Sequence, residues 1–214
     1  MTKRRWFLRR WLLRRWVLLF ALAALVSTGW FVSESGGLKT SSDGVLAQTQ
    51  QAGFESKKIV PFVPTPQEVV EGMLELAQVK KGDVVYDLGS GDGRIVITAA
   101  AKKYGAQAVG FEIDPERITE SRESIGKEGL EKLAEIREQD ILTVDLSQAN
   151  VLTMYLLSSV NLKLRPKILS EMAPGSRVVS HAFDMGDWKP DKVVQINGSA
   201  VYYWTVPQRG SFRN

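Results

Sequence analysis

The sequence predicts an α/β fold: a Rossmann-like, seven-strand sheet, mostly parallel, with an antiparallel C-terminal hairpin. Three observations predict it. Short apolar runs alternate with amphipathic segments of helical period, the pattern of repeated βα units. The run Val84-Val85-Tyr86 passes through Asp87 and Leu88 into three alternating glycines, Gly89, Gly91 and Gly93, as a strand turning sharply into a helix requires. Near the C-terminus two apolar runs flank Asn197-Gly198, a strong hairpin signal.

The elements follow in order. The folded part starts near Lys57. Thr65-Pro66-Gln67-Glu68 predicts a capping box with proline at the first helical position, and Val69, Val70, Met73, Leu74 and Ala77 follow at helical spacing. Val84–Leu88 is the first strand. A helix is expected over Arg94–Tyr104, ended by Gly105, and a second strand over Gln107–Ile113. Asp114-Pro115-Glu116 caps and starts the next helix. Ala134–Gln139 and Asn150–Leu156 are strands three and four. Leu162–Met172 reads as a helix stopped by Ala173-Pro174-Gly175, and Ser176–Phe183 as the fifth strand. Lys192–Ile196 and Ala200–Val206 complete the sheet.

A chain of 214 residues, 44% of them hydrophobic, holds one domain with a sizeable core. The absence of cysteine excludes disulfides, thiolate catalysis and cysteine-based zinc sites. One histidine, His181, leaves no histidine-based metal site, so no metal is expected; its strand setting reads as a packed or edge position rather than a catalytic one. The net charge of +4 is uneven. Residues 1–15 carry Lys3, Arg4, Arg5, Arg9, Arg10, Arg14 and Arg15 and no acid, which leaves 21 bases against 24 acids in the rest. The globular part therefore has no nucleic-acid footprint.

The organisation expected is a basic tail (1–15), a transmembrane or signal-anchor helix (16–32), a flexible linker rich in Ser, Gly, Gln and Thr (33–56) and a folded domain (57–214). Trp16 and Trp30 sit near the ends of the apolar stretch, where amphipathic rings favour the membrane interface. The basic tail favours export of the domain, and Arg4-Arg5-Trp6-Phe7-Leu8-Arg9 resembles a twin-arginine signal. Leu46-Ala47-Gln48 is a distant candidate cleavage site.

The glycine turn sets the chemistry. Backbone without Cβ lets a ligand lie against the chain, and the following helix aims free N–H groups at it. Dinucleotide binders carry G-x-G-x-x-G, but here Arg94 occupies the third-glycine position, and no phosphate-binding lysine follows as in a Walker A loop. Asp87, two residues before the first glycine, would repel a diphosphate and suits a cationic ligand. Glu112 ends the second strand nineteen residues past Gly93, placed to accept from both hydroxyls of a ribose. Asp87-x-Gly89-Ser90-Gly91-x-Gly93 with Glu112 resembles the class I S-adenosylmethionine (SAM)-dependent methyltransferases. SAM carries a sulfonium, an ammonium and no phosphate. Because SAM is an intracellular compound, it favours a domain on the cytoplasmic side, against the charge bias of the tail.

The resemblance implies further site residues. Asp140, after strand three, would accept from the adenine amino group, or is an ordinary turn aspartate. Ile113 would pack on the ring or in the core. Pro61-Phe62-Val63-Pro64-Thr65-Pro66, the glycine turn, Ser121-Arg122, Ser176-Arg177-Val178-Val179-Ser180 and Trp188-Lys189-Pro190 together resemble the mitochondrial protein-lysine methyltransferases that act on the c-ring protein of ATP synthase and on the adenine nucleotide translocase. The glycine turn and the Ser-Arg-Val-Val-Ser strand are also similar to the non-SET histone lysine methyltransferases. The resemblance implies that the Pro-Thr-Pro segment covers SAM, with Thr65 on its methionyl part, and that the acceptor is a protein. A small-molecule or lipid acceptor and a non-catalytic SAM-binding or exported binding module are the alternatives. Strand four ends Thr153-Met154-Tyr155-Leu156 without the Asn/Asp-Pro-Pro-Tyr of nucleobase and glutamine methyltransferases. Tyr155 is the candidate wall of the acceptor channel, or a core residue. Trp188, Tyr202, Tyr203 and Trp204 are further candidate walls.

Overall fold

Strand order in the sheet follows from the alternation of strands and helices. In the computed structural model, which describes residues 62–210 except Lys102, seven strands form one sheet in the order β3-β2-β1-β4-β5-β7-β6. They are β1 (Val84–Leu88), β2 (Gln107–Glu112), β3 (Ala134–Glu138), β4 (Val151–Met154), β5 (Arg177–His181), β6 (Lys192–Ile196) and β7 (Ser199–Thr205). The first five pair in parallel; β7 inserts antiparallel between β5 and β6. The chain reverses direction across the sheet between β1 and β4, the switch point where such sheets bind ligands beyond the strand C-termini. The tail, the apolar stretch 16–32, the linker and Pro61 lie outside the described residues. Among the described residues no helix is long and apolar enough to cross a membrane.

Side-chain alternation along the strands builds a core on each face. Val85 and Ala108 pack with Val69, Val70, Met73 and Leu74 of helix α1 (Gln67–Leu76) and with Ile95, Val96 and Ala99 of α2 (Arg94–Ala100). Ile118 and Ile125 of α3 (Pro115–Lys127) join this side. Tyr86, Leu88, Val109 and Phe111 pack on the other face with Val160, Leu164 and Ile168 of α4 (Ser158–Glu171). A buried ion pair from Arg177 Nη2 to Asp83 Oδ1 at 2.6 Å closes the N-terminal edge, where Arg177 also donates to the carbonyls of Ala77 and Gln78.

Three expectations need correction. No capping box forms at α1: Pro66 is the cap residue, no side chain caps the helix, and the Thr65 hydroxyl is engaged elsewhere. Helix α2 stops at Ala100 because Ala101 turns extended (ψ 159°); Tyr104 and Gly105 then close a turn onto the Ala101 carbonyl, with Gly105 at φ +60°. Helix α4 begins at Ser158 rather than Leu162 and carries Pro166 inside it. The remaining elements lie where the sequence places them, within one to three residues. Asp114 caps α3 by accepting from Glu116 N–H at 3.1 Å, and Asn197-Gly198 turns the hairpin with both φ angles positive.

Candidate functional site

The glycine turn hangs from the end of β2. Gly89 and Ser90 both donate their N–H to the Phe111 carbonyl, at 2.9 and 3.1 Å. Gly91 donates to Glu112 Oε2 at 2.8 Å, while Glu112 Oε1 accepts from Ile113 and Asp114 N–H. One carboxylate thus fixes both the turn after β1 and the turn after β2. All three glycines of the turn lie at positive φ. Beyond that, a Cβ on Gly91 would collide with the Phe62 ring, and one on Gly93 would sit 2.8 Å from Ser121 Cβ.

Above this turn lies a cavity of about 380 Å³. Six of the residues singled out from the sequence line it: Thr65, Asp87, Gly89, Ser90, Glu112 and Asp140; Tyr155 lines it too. Gly91 and Gly93 shape the turn without lining the cavity. Asp140 follows β3 by two residues and caps the short 3₁₀ turn Ile141–Thr143 by accepting from Leu142 N–H at 2.9 Å. Ile113 and Ile141 supply apolar wall. Four expected aromatic walls are elsewhere. Trp188 and Trp204 are buried against each other under the β5–β7 side, with Trp204 Nε1–H donating to the Trp188 carbonyl at 2.7 Å. Tyr202 stacks on Trp204, and none of the four, Tyr203 included, borders the cavity.

The electrostatics favour a cation. Asp87 is 2% exposed, and its carboxyl is pushed up to about 7. Burial is the largest cause, opposed by the Thr153 hydroxyl, which donates at 2.7 Å, and reinforced by the charges of Glu112 and Asp92. Burial also raises Asp92, but the Arg94 hydrogen bonds outweigh it and hold that carboxyl below its usual range. The cavity cations are both engaged. Arg94 forks onto Asp92 and donates from Nη1 to the Thr65 carbonyl at 2.8 Å; Arg117 pairs with Glu116 and Glu120 and lies over the Phe62 ring. Ser90 Oγ is buried with no hydrogen-bond partner in the structure. A buried carboxyl whose ionised form suits an ammonium lines one cavity with an unpartnered hydroxyl suited to a carboxylate, which fits an amino-acid moiety, the half of SAM expected at this turn.

Several contributing residues were not read from the sequence. Thr153 becomes visible only once β4 is known to pair with β1, where it stands opposite Asp87. Gly110 is a glycine inside a strand, itself a signal of close approach: a Cβ there would lie 2.6 Å from Ser90 Cβ and 2.7 Å from Ile136 Cδ1. Arg94, read as a helix start and as a break in a dinucleotide motif, ties the Pro64-Thr65-Pro66 segment to the glycine turn.

Comparison with known proteins fits this geometry. The ANTKMT methyltransferase domain family matches residues 87–192, from the acid of β1 to the start of β6. A protein-lysine N-methyltransferase of Saccharolobus islandicus is 50% identical over 151 residues, 69% of this chain and 94% of that protein. The chain belongs to this methyltransferase family. The mouse adenine nucleotide translocase lysine N-methyltransferase is 33% identical over 170 residues, 78% of this chain and 73% of that protein. A crystal structure described as an RNA methyltransferase from Salinibacter ruber, in complex with S-adenosyl-L-homocysteine, is 52% identical over 69% of this chain and 95% of that one, with a TM-score of 0.67. The methyltransferase thus shares its fold with a relative holding S-adenosyl-L-homocysteine, and SAM is its cofactor.

Proposed function

We propose that this methyltransferase transfers the methyl group of SAM to a lysine side chain of a protein. The observation that carries the reading is the acidic, Asp87-based cavity at the switch point, together with 50% identity across 94% of an archaeal protein-lysine N-methyltransferase. Bound there, SAM supplies an electrophilic methyl carbon on a sulfonium. Asp87 and Ser90 hold the amino-acid end, Thr65 and the Pro64–Pro66 segment cover it, and Gly89, Gly91 and Gly93 let the backbone approach. Glu112 Oε2 keeps acceptor capacity beyond its Gly91 bond for a ribose hydroxyl. Asp140, with Ile113 and Ile141, borders the adenine.

Tyr155 and Leu156, at the C-terminal end of β4, form the acceptor side. An apolar and aromatic wall excludes water and lowers the pKa of an entering lysine, favouring its nucleophilic neutral form. The nitrogen lone pair forms the new N–C bond, the C–S bond breaks with its electron pair left on sulfur, and the proton on nitrogen goes to solvent. No residue of the cavity is needed as a base.

The name of the Salinibacter relative raises RNA as the other acceptor class. Charge argues against it: in residues 62–210 acids outnumber bases by 21 to 17, whereas RNA binding draws on a basic face. Phe62 and Val63, which line the cavity, are apolar and exposed. The apolar stretch 16–32 behind its basic tail supports a membrane-tethered enzyme acting on a membrane-associated protein. The test is incubation of the full-length chain with methyl-labelled SAM and cell extract, separated into protein, RNA and lipid. The reading expects label in protein, recovered as methyl-lysine after hydrolysis. Label in RNA or lipid overturns it.

A further inference from the structure

His181, the only histidine of the chain, ends β5 and is 3% exposed. It does not line the cavity, yet it touches two residues that do. Its Nδ1 shares a hydrogen bond with Thr65 Oγ1 at 3.2 Å, and its ring lies 3.9 Å, centroid to centroid, from that of Tyr155. These contacts link the segment before α1 to the residue after β4, 90 positions apart in sequence and on opposite sides of the glycine turn.

The surroundings hold the ring in place. Asn161 is fully buried, and its Nδ2 donates to Ser180 Oγ and to the carbonyls of Phe183 and Asp184, on either side of His181. Ala182 follows at φ +63°, a left-handed conformation that a non-glycine residue adopts only when its neighbours impose it. Phe183 also stacks on Tyr155, with ring centroids 6.1 Å apart. The Thr65 hydroxyl, which could have capped α1, is turned to the histidine instead.

We infer that His181 is a positioning residue that couples the Thr65 segment over the donor to the Tyr155 wall of the acceptor side. Thr65 fixed in this way sets the depth of the cover over the cavity, and the same ring fixes the plane of Tyr155. Burial holds the ring below the ordinary histidine range, so the neutral form makes both contacts. The inference rests on the SAM reading of the cavity.

A double-mutant cycle on the full-length chain tests it, read as calorimetric affinity for S-adenosylhomocysteine. His181→Phe keeps a ring for Tyr155 and removes Nδ1; Thr65→Val removes the hydroxyl. Each single variant is expected to weaken binding about fivefold, one hydrogen bond's worth, and the double variant to bind no worse than either single. His181→Asn keeps a partner for Thr65 and removes the ring. It is expected to restore the affinity while lowering the rate of label transfer to extract protein at saturating SAM. A variant-free readout uses the lone histidine of a tag-free chain: its ring resonances should shift with S-adenosylhomocysteine at the calorimetric affinity. Additive losses, wild-type affinity in His181→Phe, or histidine resonances unmoved at saturation overturn the inference. Absence of S-adenosylhomocysteine binding by the wild-type chain would instead overturn the donor reading itself.

Discussion

The Thr153 hydroxyl donates to Asp87 Oδ1 at 2.7 Å between two neighbouring parallel strands, with both residues buried. It holds down a carboxyl that burial pushes up to about 7. The bond therefore lowers the pH at which Asp87 ionises.

SAM affinity should rise with pH. The folded-state value of Asp87, about 7, lies above the 3.8 of the unfolded chain. In the ligand-free protein the stability contributed by this group is therefore present below about pH 4 and lost as pH rises through 7. A cationic ligand needs the ionised form, so binding near pH 6 must expel a proton. Calorimetry should show SAM binding roughly tenfold tighter at pH 8 than at pH 6, with proton release at pH 6. Asp87→Asn should flatten that profile and weaken binding at pH 8. A flat wild-type profile would count against the role of Asp87.

Thr153→Val removes the donor and leaves the carboxyl with burial and its acidic neighbours alone. The midpoint of the pH profile should move upward, and affinity at pH 7 should fall severalfold. Stability at pH 7 should drop by about 1–3 kcal/mol, the cost of an unpartnered buried polar group, measured by urea denaturation. An unchanged midpoint would show that the hydroxyl does not tune Asp87.

Gly110 and Gly126 should respond in opposite directions to alanine. At Gly110 the added methyl meets Ser90 and Ile136 inside 3 Å, so Gly110→Ala should cost about 1–3 kcal/mol and weaken S-adenosylhomocysteine binding by displacing Ser90. At Gly126, exposed in α3 with its nearest neighbour 3.8 Å away, Gly126→Ala should stabilise by about 0.5–1 kcal/mol and leave binding unchanged. Thermal melts with and without ligand separate the two.

Arg94 joins the glycine turn to the segment that covers the cavity, through Asp92 and the Thr65 carbonyl. Arg94→Ala should speed proteolysis of the segment around residues 62–66 and weaken donor binding. Arg94→Lys should recover little, because a single ammonium cannot reproduce the forked geometry. Equal recovery by lysine would reduce the role to charge.

The strands, the hairpin and the residues gathered around the cavity were legible because each rests on local signals: β runs, proline and glycine punctuation, and two acids at strand ends. Helix boundaries were less legible. Nothing in the Ala100-Ala101 pair announces the extended ψ that ends α2, and Ser158 starts α4 without a side-chain cap. Of the candidate walls Tyr155 lines the cavity, and the other four lie elsewhere for a tertiary reason. Tyr202 to Trp204 read as aromatic candidates, but β7 inserts beside β5, away from the switch point, and buries Trp204 on Trp188. The Thr65–His181 contact was illegible for the same reason: 116 residues separate the partners, and only the sheet order brings them together.

The ligand that the cavity takes up decides its chemistry. Titration of the purified chain with S-adenosylhomocysteine should give one saturable site, lost in Glu112→Ala and absent for NAD. Uptake of NAD in place of the adenosyl ligand, or undiminished binding by Glu112→Ala, would contradict it.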